Sequence, residues 1–267
     1  MKKIALLLFL LPLKTITYAQ DITGVLGAFP PELVLLQSKM ENKKDTIIAH
    51  ISFTKGTLNG RSVVLAQTGI GKVNAAITTT LMIQYFKPKE IVFSGIAGGI
   101  DPALFPGDIV IGTQVTYHDY GAIEDTGMKY LPTKNPWTMA VNPVMYTCDS
   151  ALVQKAISVS TGLNFSKVFR ENGSFAPAVT KGIIVTGDVF VSSETATERL
   201  RKDLNAAATE MEGAAIAQTC FQQNIPFLII RSLSDNANKK AGDDIRSFYK
   251  IAAENAATLV MAVVGAK

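Results

Sequence analysis

The sequence predicts an α/β domain of three layers, with a twisted mixed central sheet flanked by helices. The runs at 91–94, 182–186 and 227–230 are apolar at successive positions. Strands like these, covered on both faces, belong in sheets that carry helices on both sides. Apolar runs of strand length alternate with longer stretches of helical spacing, which is the order of an α/β fold. The long strand patterns at 47–69 and 107–118 add that the sheet is mixed and curls on itself.

The elements follow in order. Residues 1–19 read as a secretory signal rather than as part of the fold. Lys2 and Lys3 form a basic start, Ile4 to Leu13 a short apolar run, and Thr17 and Ala19 sit at the small-residue positions before a cut. The run is too short for a good membrane span, so no stable membrane insertion is expected once it is removed. The expected product is a single domain over 20–267, exported to a periplasmic or extracellular compartment. Its first strand is "ITGVLGA" (22–28), followed by a helix opened by Pro30 and Pro31. Residues 47–69 read as a hairpin around Asn59-Gly60. A helix over 72–86 carries Val73, Ala76, Ile77, Thr80 and Leu81 at helical spacing and stops before Pro88. Strands follow at 90–100 and 107–121. Residues 122–148 read as a surface excursion, 150–161 as a helix, 162–178 as aperiodic and 181–191 as a strand. The rest reads as a polar helix over 194–204, an apolar segment headed by Glu210 and Glu212, a strand at 226–235, and a last helix from Ser247 to Val264.

Composition narrows the function. The chain has 267 residues and 48% hydrophobic content, enough for one large, well-filled core. Charged residues make up 18%, below the usual share of about a quarter, which excludes a disordered chain. The net charge is +4, and the basic residues are scattered in small groups such as Lys43-Lys44 and Lys239-Lys240. They read as solvated helix faces, and no nucleic-acid partner is expected. Cys148 and Cys220 read as two buried thiols, although an exported protein would permit a disulfide. His50 and His118 have no metal-ligand spacing with each other or with the cysteines. Neither a metal nor a cofactor is expected.

Open α/β sheets bind ligands beyond the carboxyl ends of their strands. At those ends lie Gly27, Ala28 and Glu32; the loop "GIAGG" (95–99); "TGDVFV" (186–191); Glu210, Met211 and Glu212; and Arg231, Ser234 and Asp235. Each group has an ordinary structural reading. The glycines could form only a tight turn, Glu32 could favour a helix dipole, Asp235 could cap a helix, and Arg231 could be an ion-pair partner. Together they surround one crevice with acids, an arginine and small residues, and this set suits glycosidic cleavage. A carboxylate accepts hydrogen bonds from a ribose diol. A carboxylic acid of raised pKa protonates a leaving heterocycle, and another carboxylate deprotonates water.

The motifs "GVLGAFPPEL", "TGIGKVNAA", "SGIAGG", "PGDIVIG", "TGDVFV", "ATEMEGAAIA" and "IIRSLSDNA", in this order, resemble the purine nucleoside phosphorylase and uridine phosphorylase superfamily. Within it the resemblance is to the 5′-methylthioadenosine/S-adenosylhomocysteine nucleosidases, and it spans about 22–265. It implies a nucleoside phosphorylase-like fold, commonly a homodimer, and hydrolysis of an adenine nucleoside thioether to adenine and a thioribose sugar. It implies that Asp235 protonates adenine at N7 with Ser234 beside it, and that Glu32 activates the water. Glu212 would hold the ribose hydroxyls, with Met211 packed on the sugar. Phe190 and Val191 would frame the base, Ala97 and Gly98 line the pocket, Arg231 order the nucleophile side, and Ile70 face the thioalkyl end. Glu210 would support this set. Ile96 stands where relatives often carry a hydroxyl residue, and the stretch from Asp119 to Lys181 is longer than in compact relatives. Two other readings stay open. In a phosphorylase, phosphate would need cations or backbone amides, for which Lys72 and Arg231 are the candidates, while Glu32 would repel it. In a non-catalytic exported nucleoside-binding or storage-type protein, the pocket would hold a nucleoside without turnover.

Overall fold

A computed structural model describes residues 21–170 and 173–266; the expected signal over 1–19 lies outside the described residues. The chain opens on β1 (Thr23–Gly27), buried throughout, and turns at Phe29 into α1 (Pro30–Lys39). Prolines at the first helical positions need no N–H partner and preset φ, which fixes where α1 begins. β2 (Glu41–Ile48), β3 (Ile51–Leu58) and β4 (Arg61–Gln67) form an antiparallel meander. Asn59 and Gly60 take φ of 49° and 74°, as a two-residue hairpin of matching twist requires. The sequence reading placed only one strand pair here. β2 escaped it because an edge strand exposed along nearly its whole length has no apolar period.

α2 (Lys72–Phe86) has the expected bounds, but the stripe at Val73, Ala76, Ile77, Thr80 and Leu81 is exposed or only partly buried, and Ala75, Thr78, Thr79, Met82 and Ile83 form the buried face instead; β5 (Glu90–Gly99) and β6 (Ile109–Tyr117) follow. The excursion beyond β6 contains a hairpin, β7 (Gly121–Glu124) with β8 (Gly127–Tyr130), and a short strand, β9 (Met145–Thr147), paired to β6. Asp149 caps α3 (Ser150–Ser160) by accepting from the Leu152 N–H. A second hairpin, β10 (Val168–Arg170) with β11 (Gly173–Phe175), precedes β12 (Val179–Thr186). α4 (Glu194–Leu204) is capped by Ser193.

The next segment corrects the sequence reading. Residues 206–222 keep the helix expected behind Glu210 and Glu212 but add a strand that the reading did not assign. They form a buried strand, β13 (Ala206–Glu210), a turn, and α5 (Gly213–Gln222). Alanine favours helices, so "AAATE" carries no strand signal of its own. Tertiary pairing to two neighbouring strands decides its state. β14 (Phe227–Asp235) is buried at every position, and α6 (Ala241–Gly265) begins well before the expected Ser247.

The large sheet runs β13-β12-β6-β14-β5-β1-β4-β3-β2. It is mixed: β14 is parallel to β5 and antiparallel to β6. It curls on itself as expected, because β13 also pairs antiparallel with β5 through Ala208–Gly99 and Thr209–Gly98. That closure brings the carboxyl end of β13 against the carboxyl end of β5. α1, α3 and α6 pack together, while α2 packs on α5, so helices cover the sheet as three layers require. Among the described residues, no helix is long and apolar enough to cross a membrane. Cys148 and Cys220 are both buried free thiols.

Candidate active site

The strand ends enclose a cavity of about 230 Å³ lined by residues from β1–α1, β5, the β12–α4 loop, the β13–α5 turn and β14. Of the expected site residues, Glu32, Ile70, Ala97, Gly98, Phe190, Val191, Glu210, Met211, Glu212, Ser234 and Asp235 all line it. Residues from distant parts of the chain thus meet in one place.

Glu32 sits in the first turn of α1 and is buried. Its Oε2 accepts from the Ala28 N–H, and from the Phe29 N–H at 3.3 Å. Its Oε1 accepts from the Ile96 N–H at 2.9 Å. Burial pushes its pKa up, opposed by the Arg231 charge and by these N–H donors. Backbone amides thus fix the carboxylate, which lets Ile96 contribute its amide while its side chain adds to the cavity wall.

Asp235 ends β14, where the register against β5 slips between Leu233 and Asp235. Such a bulge re-aims side chains. The Ser234 hydroxyl donates to Asp235 Oδ2 at 2.8 Å and the Ala237 N–H donates to Oδ1 at 2.7 Å. Burial raises the Asp235 pKa to about 6 against both bonds. The group is therefore held as a proton donor closer to neutrality than an exposed aspartate.

Glu212 precedes α5. The Gly71 N–H, at the mouth of α2, donates to its Oε1 at 2.9 Å. Burial and the neighbouring Glu210 charge raise its pKa, and Arg231, 3.8 Å away, opposes them. Glu210 has a different character. It accepts from Arg231 Nη2 at 2.6 Å, from the Thr186 hydroxyl, from the Glu212 N–H at 3.1 Å, and from the Gly213 N–H at 2.8 Å. Its acceptor capacity is spent on protein groups, so it anchors the turn that carries Glu212.

Arg231 departs from its expected place. It is fully buried and does not line the cavity. Its guanidinium is paired to Glu210 and lies 3.8 Å over the centre of the Phe93 ring. It acts on the site through the carboxylates in front of it. A Cβ at Gly95 would lie 2.5 Å from both Arg231 Nη1 and Glu32 Oε1, so that glycine leaves the room both groups occupy.

Several lining residues escaped the sequence reading. Phe29 and Val189 lie inside the quoted motifs "GVLGAFPPEL" and "TGDVFV" and were within reach of it. Thr209 lies on the unrecognised strand β13, and Ile245 on the part of α6 that was placed outside the helix. The Gly71 amide carries no side-chain signal at all. Among the described residues, no lysine, arginine or histidine lines the cavity.

Comparison with known proteins gives a consistent picture. The model of the phosphorylase superfamily matches residues 22–265. A 5′-methylthioadenosine/S-adenosylhomocysteine nucleosidase of Psychromonas ingrahamii is 40% identical over 245 residues, covering 90% of this chain and 97% of the relative. The solved structure of the corresponding nucleosidase of Neisseria meningitidis, in complex with methylthio-immucillin-A, is similar with a TM-score of 0.79 and 37% identity. It covers 92% of this chain and 99% of that one. A nucleosidase of Colwellia psychrerythraea in complex with adenine is similar with a TM-score of 0.79 and 36% identity, covering 92% of this chain and 95% of that one.

Proposed function

The chain belongs to the phosphorylase superfamily and, within it, to the 5′-methylthioadenosine/S-adenosylhomocysteine nucleosidase family, and on that premise we propose that it hydrolyses the N-glycosidic bond of adenine nucleosides of this kind to adenine and a thioribose sugar. One observation carries the reading: a cavity walled by apolar side chains holds a buried, raised-pKa Asp235 and a backbone-fixed Glu32, with no cation on its lining among the described residues. Phosphate binding calls for arginine or lysine contacts, and Arg231 is already committed to Glu210. Water is therefore the favoured nucleophile over phosphate.

In this reading Asp235 donates its proton to N7 of adenine as the bond from C1′ to N9 breaks and its electron pair passes into the purine. The sugar develops oxocarbenium character. Glu32 takes a proton from water as the water oxygen bonds to C1′. Glu212 accepts from the ribose hydroxyls, with its other side held by the Gly71 amide. Met211 packs on the sugar, Phe190 and Val191 frame the base, Ala97 and Gly98 shape the wall, and Ile70 faces the 5′ substituent. Ser234 orients Asp235. Arg231 and Glu210 support the carboxylates from behind.

Two further parts of the reading concern assembly and place. The exposed apolar side chains of Ile70, Val73 and Ile77, the first of them on the cavity lining, support a homodimer. The signal-like residues 1–19 support export to a periplasmic or extracellular compartment, which N-terminal sequencing of the mature protein checks. The reaction is tested by incubating the mature protein with methylthioadenosine, adenosine and inosine, with and without phosphate. Adenine release without phosphate is expected. Release only with phosphate would establish a phosphorylase, and binding without turnover a binding protein. Asp235→Asn and Glu32→Gln should each lower kcat by about 100-fold or more, from the lower end of the range for lost acid–base groups upward. Wild-type rates in either variant would remove the role assigned to it.

A further inference from the structure

Lys72 opens α2 outside the cavity lining, yet it stands at the centre of a polar cluster behind it. Its Nζ donates to both oxygens of Asp119 at 2.7 Å and lies 3.7 Å from Asp188 Oδ2. It also lies 5.5 Å from the centre of the Tyr117 ring. The backbone joins in. The Lys72 N–H donates to Asp188 Oδ1 at 2.8 Å, and the Asp188 N–H donates to Asp119 Oδ2 at 2.8 Å.

Three segments meet here: the entry to α2, the end of β6 and the loop after β12. α2 has no capping side chain of its own and no acid in its first turn. Its free N–H groups are met instead by carboxylates from elsewhere, Glu212 on Gly71 and Asp188 on Lys72. These contacts tie the two walls of the cavity together. Ile70 and the Gly71 amide belong to the sugar side through Glu212, while Val189, Phe190 and Val191 follow Asp188 directly on the base side. Asp235 and Glu32 are held separately, by β14, β5 and the β1–α1 turn.

We infer that Lys72, Asp119 and Asp188 form a positioning clamp that sets the spacing between the base wall and the sugar wall of the nucleoside site. The inference rests on the nucleosidase reading for the identity of the two walls. The clamp acts through Glu212 and the 189–191 loop and touches no reacting atom. Its contacts serve bound substrate and transition state alike, so its loss weakens binding more than it slows the bond-breaking step.

The test uses the full mature chain and the variants Lys72→Met, Asp119→Asn, Asp188→Asn and Lys72→Met/Asp119→Asn. Steady-state rates with methylthioadenosine, calorimetric affinity for adenine and thermal melting are measured on each. The expected result is a KM raised about tenfold or more in Lys72→Met with kcat within about threefold, and weaker adenine binding. The double variant should be no worse than its worse single parent, since the two groups act on each other. Lys72→Arg should recover part of the lost affinity, because it restores the charge. A KM within twofold of wild type in all single variants would overturn the clamp. So would a loss of kcat that simply follows a loss of melting temperature, which marks a purely structural role. Should wild type bind adenine but release none from nucleosides, the reaction fails, and the calorimetric comparison still decides the clamp.

Discussion

In the proposed reaction Asp235 and Glu32 hold opposite protonation states, and their surroundings set the pH at which they do. Asp235 works as an acid only while protonated. Burial lifts its pKa from 3.8 to about 6, so the competent fraction falls as pH rises through about 6. Glu32 works as a base only while ionised, and burial lifts its pKa above the usual 4.5, so the competent fraction falls as pH drops into that raised range. Loss of the Asp235 proton therefore gives kcat/KM, which reports the free enzyme, a falling limb as pH rises through about 6. Nucleoside binding excludes more water from Asp235 and moves the alkaline limb of kcat to higher pH. A kcat/KM that stays flat from pH 5 to pH 8 would remove Asp235 from the role of acid. At this scale the sequence was informative where a side chain lines the cavity, as with Glu32, Glu212 and Asp235. It was silent where the main chain does. The Ile96 and Gly71 amides that fix two of the carboxylates have no letter of their own. The burial of Arg231 behind Glu210, rather than at the cavity wall, also follows from packing that no local pattern records.

Among the elements, β5 carries the tightest constraint. It pairs with β1 over Glu90 to Phe93, with β14 over Ile91 to Gly98 and with β13 at its end, while its Gly95 and Gly98 face the site. A methyl group at Gly98 would come within 2.9 Å of Asp235 Oδ1, and one at Gly95 within 2.5 Å of Arg231 Nη1 and Glu32 Oε1. Neither glycine has a positive φ, so the demand is for space and not for backbone freedom. Gly95→Ala should displace the Glu32–Arg231 arrangement, lowering kcat by about 100-fold and costing about 1–3 kcal/mol of stability, as overpacking of a filled interior does. Rates within threefold of wild type, with unchanged melting, would show that the interior gives way easily there. The sequence marked these glycines as close-approach candidates but could not separate them from a tight turn. The strand they belong to and the buried β14 were legible from continuous apolar runs. β13 was not, since alanines fit a helix as readily as a strand and only the closure of the sheet decides between them.

For the molecule as a whole, the curl of the sheet gathers the site at one end, and exposed apolar side chains lie beside that end. Ile70, Val73 and Ile77 are 56%, 69% and 47% exposed, and the last two share a face of α2 at helical spacing. Ile70 belongs both to this face and to the cavity lining, so a second copy seated here would also cover the cavity mouth. Contiguous exposed apolar patches of this kind mark interaction sites. Val73→Glu places a charge on that face without touching the core. It should convert the proposed dimer to a monomer in sedimentation at micromolar concentration, with melting of the isolated subunit still cooperative. Uncovering the mouth should also raise KM several-fold while Asp235 and Glu32 remain in place. Ile77→Lys should act in the same direction, since it lies one turn further along the same face. A wild-type monomer, or a dimer undisturbed by either substitution, would assign this face to some other contact.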